Sequence, residues 1–330
     1  MDGSVFLCER RLYFCRMRIS LAPMQGYTEA IFRSAINRIG GIGVFYAPFI
    51  RIENGEIRKK YLTDIAPENN RGLHVVPQVL ANSAADILQV ANAVAAMGYT
   101  ELNWNLGCPF PMVAKRQLGA GLLPYPEKID SILTEVEAQN DISLSVKMRT
   151  GYLSPDEIWP VLDVLNRHKI KEIIVHPRIG KQMYNGEADS GVLPEIIAKA
   201  AHPVAYNGDI RTAEQAHRLI EKNPAVTHLM IGRGLLCNPF LALEIAGQSP
   251  NGYNRRNLLM NFVGTIAERQ LDRLQGAGHF LQKMTTYWEY WSAMFDDAHR
   301  ALKTVKKCRT VEEYTDKVQD IVLGWKMAMR

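Results

Sequence analysis

Short β-rich runs alternate with amphipathic helical patterns over most of the chain, from residue 19 to about residue 243. Eight of these runs favour strands, and they lie at 19–22, 43–47, 74–79, 101–105, 143–148, 172–176, 203–207 and 228–232. Helical patterns between them include 84–97, 129–138 and 212–221, the last with Thr212 in the capping position. Eight strands that each lead into a crossover predict an α/β fold, namely a closed TIM (β/α)8 barrel.

An open, doubly wound parallel sheet is the competing α/β architecture. It usually carries a glycine-rich GxGxxG turn after a strand, where a dinucleotide binds. The chain contains no match to that pattern. The barrel is therefore the favoured fold.

The alternation stops at the turn-forming segment GQSPNG at residues 247–252. After it, helical patterns cover residues 258–274, 280–302 and 311–327. These patterns predict a small C-terminal all-helical bundle. We therefore expect a catalytic barrel at 17–246 and a helical domain at 247–330. Residues 1–16 lack the continuous apolar stretch of a secretory signal, so we interpret them as an N-terminal extension with Met17 as the native start.

Charge and cysteine content limit the partners and the compartment. The net charge is +5, and residues 252–330 carry 13 Lys and Arg against 9 Asp and Glu. This excess fits a polyanionic partner, although a solvated helical surface would look the same. The five cysteines form no CxxC pair, so neither a metal site nor a disulfide framework is indicated. No apolar stretch is long enough to span a membrane. From the cysteine pattern we expect a protein of the reducing cytoplasm, and we also expect a monomer.

Polar residues end most of the predicted strands, where barrel enzymes place their chemistry. Asn207-Gly208-Asp209 and Gly232-Arg233 follow the last two strands, and such glycines let backbone N–H groups approach a phosphate. Lys147 and His176 end the fifth and sixth strands. A cation in that position would stabilise the delocalised charge of a reduced flavin, but a salt bridge within the barrel is the simpler alternative.

Cys108 lies just past the fourth strand, between Gly107 and Pro109. A buried structural cysteine normally lies inside a strand or helix as a small apolar residue. A cysteine on a constrained turn at the barrel mouth is better placed to give or take a proton. Proton transfer is therefore the favoured role, with simple packing as the alternative.

Taken together, these segments resemble the tRNA-dihydrouridine synthase (Dus) family. The matching stretches are LAPM at 21–24, NLGCP at 105–109, GAGLL at 119–123, VKMRTG at 146–151, HPR at 176–178, QMYNG at 182–186, NGDI at 207–210 and MIGRG at 230–234. Their order and spacing agree with the family from residue 19 to about residue 241. The tail is most similar to that of the bacterial DusC branch, which acts on position 16 of tRNA.

The resemblance implies an enzyme that binds flavin mononucleotide (FMN), takes electrons from NADPH and reduces a uridine of tRNA to 5,6-dihydrouridine. Hydride would pass to C6 of the uracil, and Cys108 would protonate C5. The FMN contacts it implies are Ala22, Pro23, Met24, Gln78, Lys147 and His176 near the ring, with Asn207, Gly208, Asp209, Gly232 and Arg233 around the phosphate and ribityl chain. The uracil and tRNA contacts it implies are Arg51, Asn105, Arg178, Tyr184 and Lys283.

Two other functions compete with this interpretation. An FMN barrel oxidoreductase of the dihydroorotate dehydrogenase kind would share the phosphate site and the lysine, but it would act on a free pyrimidine and need no basic helical tail. A tRNA-binding protein without catalysis would need the tail but not Cys108, Lys147 and His176, all of which the chain retains.

Overall fold

The computed structural model describes residues 17–328, with the exception of 249 and 251, so the predicted extension at 1–16 lies outside the described residues. Its main sheet is entirely parallel. The strands are β1 (Arg18–Leu21), β2 (Val44–Tyr46), β3 (Val75–Val76, continuing as Gln78–Val79), β4 (Glu101–Leu106), β5 (Ser143–Gly151), β6 (Ile170–Ile179), β7 (Val204–Asn207) and β8 (His228–Ile231).

Pro77 interrupts β3 because it has no N–H to donate to a neighbouring strand. The residues before it pair with β2, and those after it pair with β4. β1 pairs with both β2 and β8, so the sheet closes on itself. This arrangement confirms the predicted (β/α)8 barrel.

Helices surround the barrel and continue beyond it. They are α1 (Ala30–Asn37), α2 (Lys59–Ile65), α3 (Ala84–Ala96), α4 (Pro111–Ala114), α5 (Pro126–Gln139), α6 (Ile158–Leu165), α7 (Leu193–Lys199), α8 (Ala213–Lys222), α9 (Arg233–Cys237), α10 (Leu241–Ile245), α11 (Gly252–Arg273), α12 (Ala277–Trp291), α13 (Ala298–Lys306) and α14 (Val311–Gly324). A small hairpin, Ile52–Glu53 with Glu56–Ile57, follows β2. Thr212 caps α8 by accepting a hydrogen bond from the N–H of Gln215, as its position in the sequence predicted.

Side chains from most strands fill the barrel axis. One buried cluster consists of Ala22, Val44, Tyr46, Val76, Ile174, Ala205 and Met230. Below it, His228 Nδ1 lies 2.9 Å from the carboxylate of Glu172, and its Nε2 lies 2.7 Å from Ser20 Oγ. The interior is therefore packed, which leaves the C-terminal ends of the strands as the place where a barrel enzyme binds its ligand.

The C-terminal region is helical, as predicted, but the single helix predicted at 280–302 is wrong. A 3-10 turn at Ser292–Met294 separates α12 from α13, and Phe295 forms an isolated bridge with Met327. Asp297 then starts α13 by accepting a hydrogen bond from the N–H of Arg300 at 2.9 Å. The predicted last helix also ends earlier, at Gly324. The predicted domain boundary falls between α10 and α11, and the division into two domains stays a prediction.

No helix within 17–328, as far as the structure describes it, is long and apolar enough to cross a membrane.

Candidate active site

The C-terminal ends of β1–β8, with the loops that follow them, form one opening that we call the mouth. Gly232 at the end of β8 lies against the residues that follow β1. A Cβ added at Gly232 would come within 3.0 Å of Met24 Sδ and 3.2 Å of Ala22 Cβ. The first and last strands therefore meet at the mouth, and the absence of a side chain at residue 232 permits it.

A chain of buried amides runs across the strands below the mouth. Gln78 donates from Nε2 to Asn103 Oδ1 at 2.7 Å, and Asn103 donates from Nδ2 to Ser145 Oγ at 2.8 Å. Asn105 donates from Nδ2 to Gln78 Oε1 at 2.8 Å. Gln78 is completely buried, so these bonds hold its amide in one orientation. The residue types at 103 and 145 did not predict these hydrogen bonds, because the bonding partners lie on neighbouring strands.

The turn that carries Cys108 is clamped from two sides. Asn105 Oδ1 accepts hydrogen bonds from the N–H groups of Gly107 at 3.0 Å and Cys108 at 2.9 Å. On the other side, the N–H of Ala120 donates to the Cys108 carbonyl at 3.0 Å. Gly119 has φ +57°, and a Cβ there would lie only 2.7 Å from Cys108 Cβ. Asn105, which was predicted to contact the uracil, therefore shapes this turn through its side-chain oxygen.

The Cys108 side chain is nearly buried, at 8% exposure. Burial raises the pKa of its thiol above the ordinary value, while an N–H group, Arg149 and Lys147 act in the opposite direction. The net shift keeps the sulfur protonated at neutral pH. A thiol in this state can act as a proton donor.

Two cations from β5 reach the mouth on the same face of the strand. Burial, followed by the charge of Arg149, lowers the pKa of Lys147 to about 7. Arg149 donates from Nε to the Gly107 carbonyl at 3.1 Å and from Nη1 to the Ile179 carbonyl at 2.8 Å. It thereby joins the ends of β4, β5 and β6. The sequence predictions gave Arg149 no role, although its position two residues after Lys147 places both side chains on one face of the strand.

His176 and Arg178 both lie within β6, which is longer than predicted. Arg178 Nη1 lies 3.1 Å from His176 Nε2. Because a guanidinium only donates, this nitrogen of the imidazole accepts and the ring proton lies on Nδ1. Burial, followed by the nearby cations beginning with Lys147, holds the pKa of His176 well below its ordinary value. His176 is therefore neutral.

Asp209 joins Arg178, near the end of β6, to Arg233, which follows β8. It forms an ion pair with Arg178 and another with Arg233, whose Nη2 lies 2.5 Å from Asp209 Oδ1. Arg178 also donates to the Gly186 carbonyl at 2.5 Å, which ties the loop after β6 to the mouth. Asn207 donates from Nδ2 to the Met230 carbonyl at 2.8 Å, so it links β7 to β8.

The predicted tRNA contacts lie in three different places. The ring of Tyr184 covers part of the mouth, with its centroid 4.7 Å from Arg233 Cζ and 5.4 Å from Arg149 Cζ. Arg51 follows β2 and pairs with Glu53 at 2.7 Å. Lys283 lies where α12 meets the loop after β1, and its side chain is only 16% exposed.

The contact around Lys283 holds the C-terminal helices to the loop after β1. Lys283 Nζ donates to the Gly26 carbonyl at 2.6 Å, and Tyr287 Oη donates to the Tyr27 carbonyl at 3.0 Å. The ring of Tyr27 packs edge-on against Tyr287 and Tyr290, with centroids 6.2 and 5.2 Å apart. This loop begins directly after Ala22-Pro23-Met24, so α12 helps to position that segment.

The mouth suits a ligand that combines a flat ring with an anionic group. Lys147, Arg149, Arg178 and Arg233 supply positive charge, and Asp209 is the carboxylate paired within this set. Arg178 Nε is buried and has no hydrogen-bond partner among the residues that the structure describes. A buried donor without a partner is costly unless a ligand satisfies it. The positive charge fits the anionic group of a phosphorylated flavin, and the free donor of Arg178 fits a polar atom of a ligand bound at the mouth.

The sequence matches one known protein family over most of its length. The dihydrouridine synthase (Dus) family model matches residues 20–323. The tRNA-dihydrouridine(16) synthase of Pseudomonas putida is 31% identical over 238 residues, which span 70% of this chain and 73% of that protein. The enzyme of the same name from Pseudomonas syringae pv. tomato is 32% identical over 238 residues, covering 70% and 75%.

Solved structures share the fold at low sequence identity. A 2-naphthoyl-CoA reductase complex has a TM-score of 0.53 and 10% identity, covering 71% of this chain and 50% of that one. The old yellow enzyme homologue of Zymomonas mobilis has a TM-score of 0.51 and 13% identity, covering 71% and 90%.

Proposed function

The chain belongs to the dihydrouridine synthase family and is an oxidoreductase, and from this we propose that it reduces a uridine of tRNA to 5,6-dihydrouridine with bound FMN and NADPH. The observation that carries the proposal is the buried thiol of Cys108, which a hydrogen-bonded turn holds at the cationic mouth of a barrel. The relatives' names refer to tRNA and to position 16. With the DusC-like tail, they support position 16 as the target.

When bound, FMN supplies the hydride-transfer chemistry. We assign its phosphate and ribityl chain to the segments that end β7 and β8, namely Asn207-Gly208-Asp209 and Gly232-Arg233. We assign its ring to the remaining part of the mouth, where Ala22, Pro23, Met24, Gln78, Lys147 and His176 lie. The neutral His176 and the partly charged Lys147 differ in their electrostatic effect, since only the lysine favours negative charge on the ring.

Cys108 supplies the proton in this proposal. As C6 of the uracil gains hydride, the S–H bond of Cys108 breaks and its proton passes to C5, which leaves a thiolate. Arg149 and Lys147 favour that thiolate, because both charges lower the pKa of the thiol against the effect of burial. The same environment therefore keeps the proton on sulfur at rest and stabilises the product of its transfer.

The proposed RNA contacts come from several separate parts of the chain. Arg178 keeps a free donor for the uracil, and Tyr184 lies over the mouth. The other members of the predicted set are Arg51, Asn105 and Lys283. Uridine in a folded tRNA must leave its stack to reach the mouth, at a cost of a few kcal/mol. Basic residues of the C-terminal helices are a source of compensating phosphate contacts. We also propose that the enzyme acts as a monomer in the cytoplasm.

The Cys108→Ala variant tests the chemistry. We expect FMN to remain bound and dihydrouridine formation to fall by a factor on the order of 10² to 10⁴, because the proton donor is lost. Cys308→Ser is the matched control, since Cys308 lies between α13 and α14, and its Sγ donates to the Thr304 carbonyl at 3.6 Å. Normal turnover in Cys108→Ala would eliminate the proton-donor role.

The substrate needs its own test. Sequencing tRNA from cells with and without this gene locates the dihydrouridine, and loss of the modification at position 16 is the expected result. Purified enzyme is then given tRNA, free uracil or free orotate. If a free pyrimidine is reduced as fast as tRNA, the dihydroorotate dehydrogenase-like alternative replaces the proposal.

A further inference from the structure

Exposed apolar side chains gather on one side of the mouth. Phe110 and Met112, which follow β4, are 53% and 83% exposed, and Leu153 after β5 is 53% exposed. With Tyr184 after β6, they make up four of the seven exposed large hydrophobic residues described by the structure. Because β4, β5 and β6 are neighbours, their loops emerge side by side. Exposed apolar groups gathered in this way mark an interaction surface.

Hydrogen bonds to backbone carbonyls join the loops that carry these side chains. Arg149 bonds to carbonyls at the ends of β4 and β6, at 3.1 and 2.8 Å. The N–H of Lys181 donates to the Tyr152 carbonyl at 3.1 Å, and a Cβ added at Gly180 would lie only 2.3 Å from the Tyr152 ring. The exposed side chains are therefore presented by a packed frame.

Cations lie beside the apolar groups that follow β4, and near Leu153 the carboxylate of Glu157 is engaged by backbone N–H groups of Tyr152, Leu153 and Ser154. Met112 belongs to α4, which ends at Ala114, and Lys115 and Arg116 follow directly after this helix. Both basic side chains are exposed and form no ion pair within the described part of the chain. The sequence between Gly107 and Pro126 contains no Asp or Glu. The surface therefore combines apolar contact area with unpaired positive charge.

We propose that this surface, which consists of Phe110, Met112, Lys115, Arg116 and Leu153 and which we call the rim, binds the nucleotides that flank the target uridine. The rim rests on the proposed function, because its occupant is the RNA substrate. When the uridine leaves its stack, the neighbouring bases lose a stacking partner and expose apolar faces. Phe110, Met112 and Leu153 receive those bases, while Lys115 and Arg116 pair with their phosphates. Single-stranded RNA is commonly recognised by apolar stacking beside basic groups.

The first experiment separates RNA binding from the flavin chemistry. Phe110→Ser/Met112→Ser and Lys115→Ala/Arg116→Ala are compared with the wild-type holoenzyme. We expect KM for tRNA to rise about tenfold in each double variant. Reduction of bound FMN by NADPH, which needs no RNA, reports whether the site is intact. Leu323→Ser, a similarly exposed residue on α14, and Lys169→Ala, at the opposite end of the barrel, are the matched controls.

A second experiment tests which part of the RNA meets the rim. An otherwise identical tRNA lacking the bases on either side of the target uridine is expected to raise KM about tenfold with the wild-type enzyme. With Phe110→Ser/Met112→Ser, removing those bases should add almost nothing, because the contact is already lost. Independent, additive effects would overturn the proposal.

Other outcomes are equally decisive. If flavin reduction falls as much as tRNA turnover, the rim supports the Cys108 turn and the proposal fails. If the apolar double variant turns an oligomer into a monomer in sedimentation, the rim binds a second copy of the chain. If the wild-type enzyme reduces no tRNA, both the proposed function and the rim proposal fail. Normal KM in both double variants of an active enzyme overturns the rim alone.

Discussion

Replacing Lys283 by methionine tests how the C-terminal helices support the flavin site. The ammonium of Lys283 lies 2.6 Å from the Gly26 carbonyl and 3.6 Å from the Glu29 carboxylate, and 5.1 Å from the centre of the Tyr287 ring. Methionine keeps a long apolar side chain and removes the charge. The Gly26 carbonyl then loses its donor, whereas Glu29 keeps Arg273 at 3.0 Å.

The size of the effect follows from these contacts. A hydrogen bond from a charged group contributes about 1.5–3 kcal/mol to stability. Part of that is offset by the cost of burying the ammonium, since burial lowers the pKa of Lys283. We therefore expect a net loss of about 1–2 kcal/mol, which corresponds to a factor of roughly 5 to 30 in an equilibrium. Because Gly26 directly follows the segment assigned to the flavin, FMN affinity should fall by a similar factor.

Urea denaturation and fluorescence titration with FMN measure the two effects in the full chain. Lys303→Met is the matched control, because Lys303 is exposed on α13 and distant in sequence from this contact. We expect Lys283→Met, but not the control, to lose both stability and FMN affinity. If it keeps both and only KM for tRNA rises, Lys283 acts as an RNA contact without positioning the loop after β1, and the positional argument is refuted.

Two further predictions concern Lys147 and Gly121. Since the pKa of Lys147 is about 7, its charge is lost as the pH rises through neutrality, and FMN affinity should fall between about pH 6.5 and 8.5 relative to Lys147→Met, measured by titration. Stability of the flavin-free protein should rise over that range, because an unfolded lysine keeps its proton up to about pH 10.4 and the unfolded chain then binds more protons. A flat difference from Lys147→Met would contradict both. In Gly121→Ala, the new Cβ would lie 2.3 Å from the Ala114 carbonyl, so we expect a loss of about 1–3 kcal/mol in urea denaturation. Gly278→Ala on α12, where nothing lies within 4 Å, should be neutral or stabilising, and equal stability in both variants would refute the steric argument.

The sequence by itself was sufficient for the barrel and for several residues at its mouth, but not for Arg149. Eight strands with crossovers have few ways to pack, and closing them brings every C-terminal strand end to one opening. Cys108, Lys147, His176 and Arg233 could therefore be expected near one another from their positions after successive strands. The glycines at 119 and 121 were recognisable as a motif in the sequence. Glycine is needed at these positions because Cys108 and Ala114 approach too closely for a side chain to fit.

Only the tertiary structure decided which partner each side chain takes. Asn105 uses its oxygen for the Cys108 turn, and Arg149 joins three strand ends, because of contacts between different strands. Lys283 lies 257 residues from the carbonyl that it binds, so no local pattern could reveal the pair. Strand and helix periodicity follow from the local backbone and therefore can be read from the sequence. A hydrogen bond instead depends on distances of a few tenths of an ångström, which exist only after distant segments have packed.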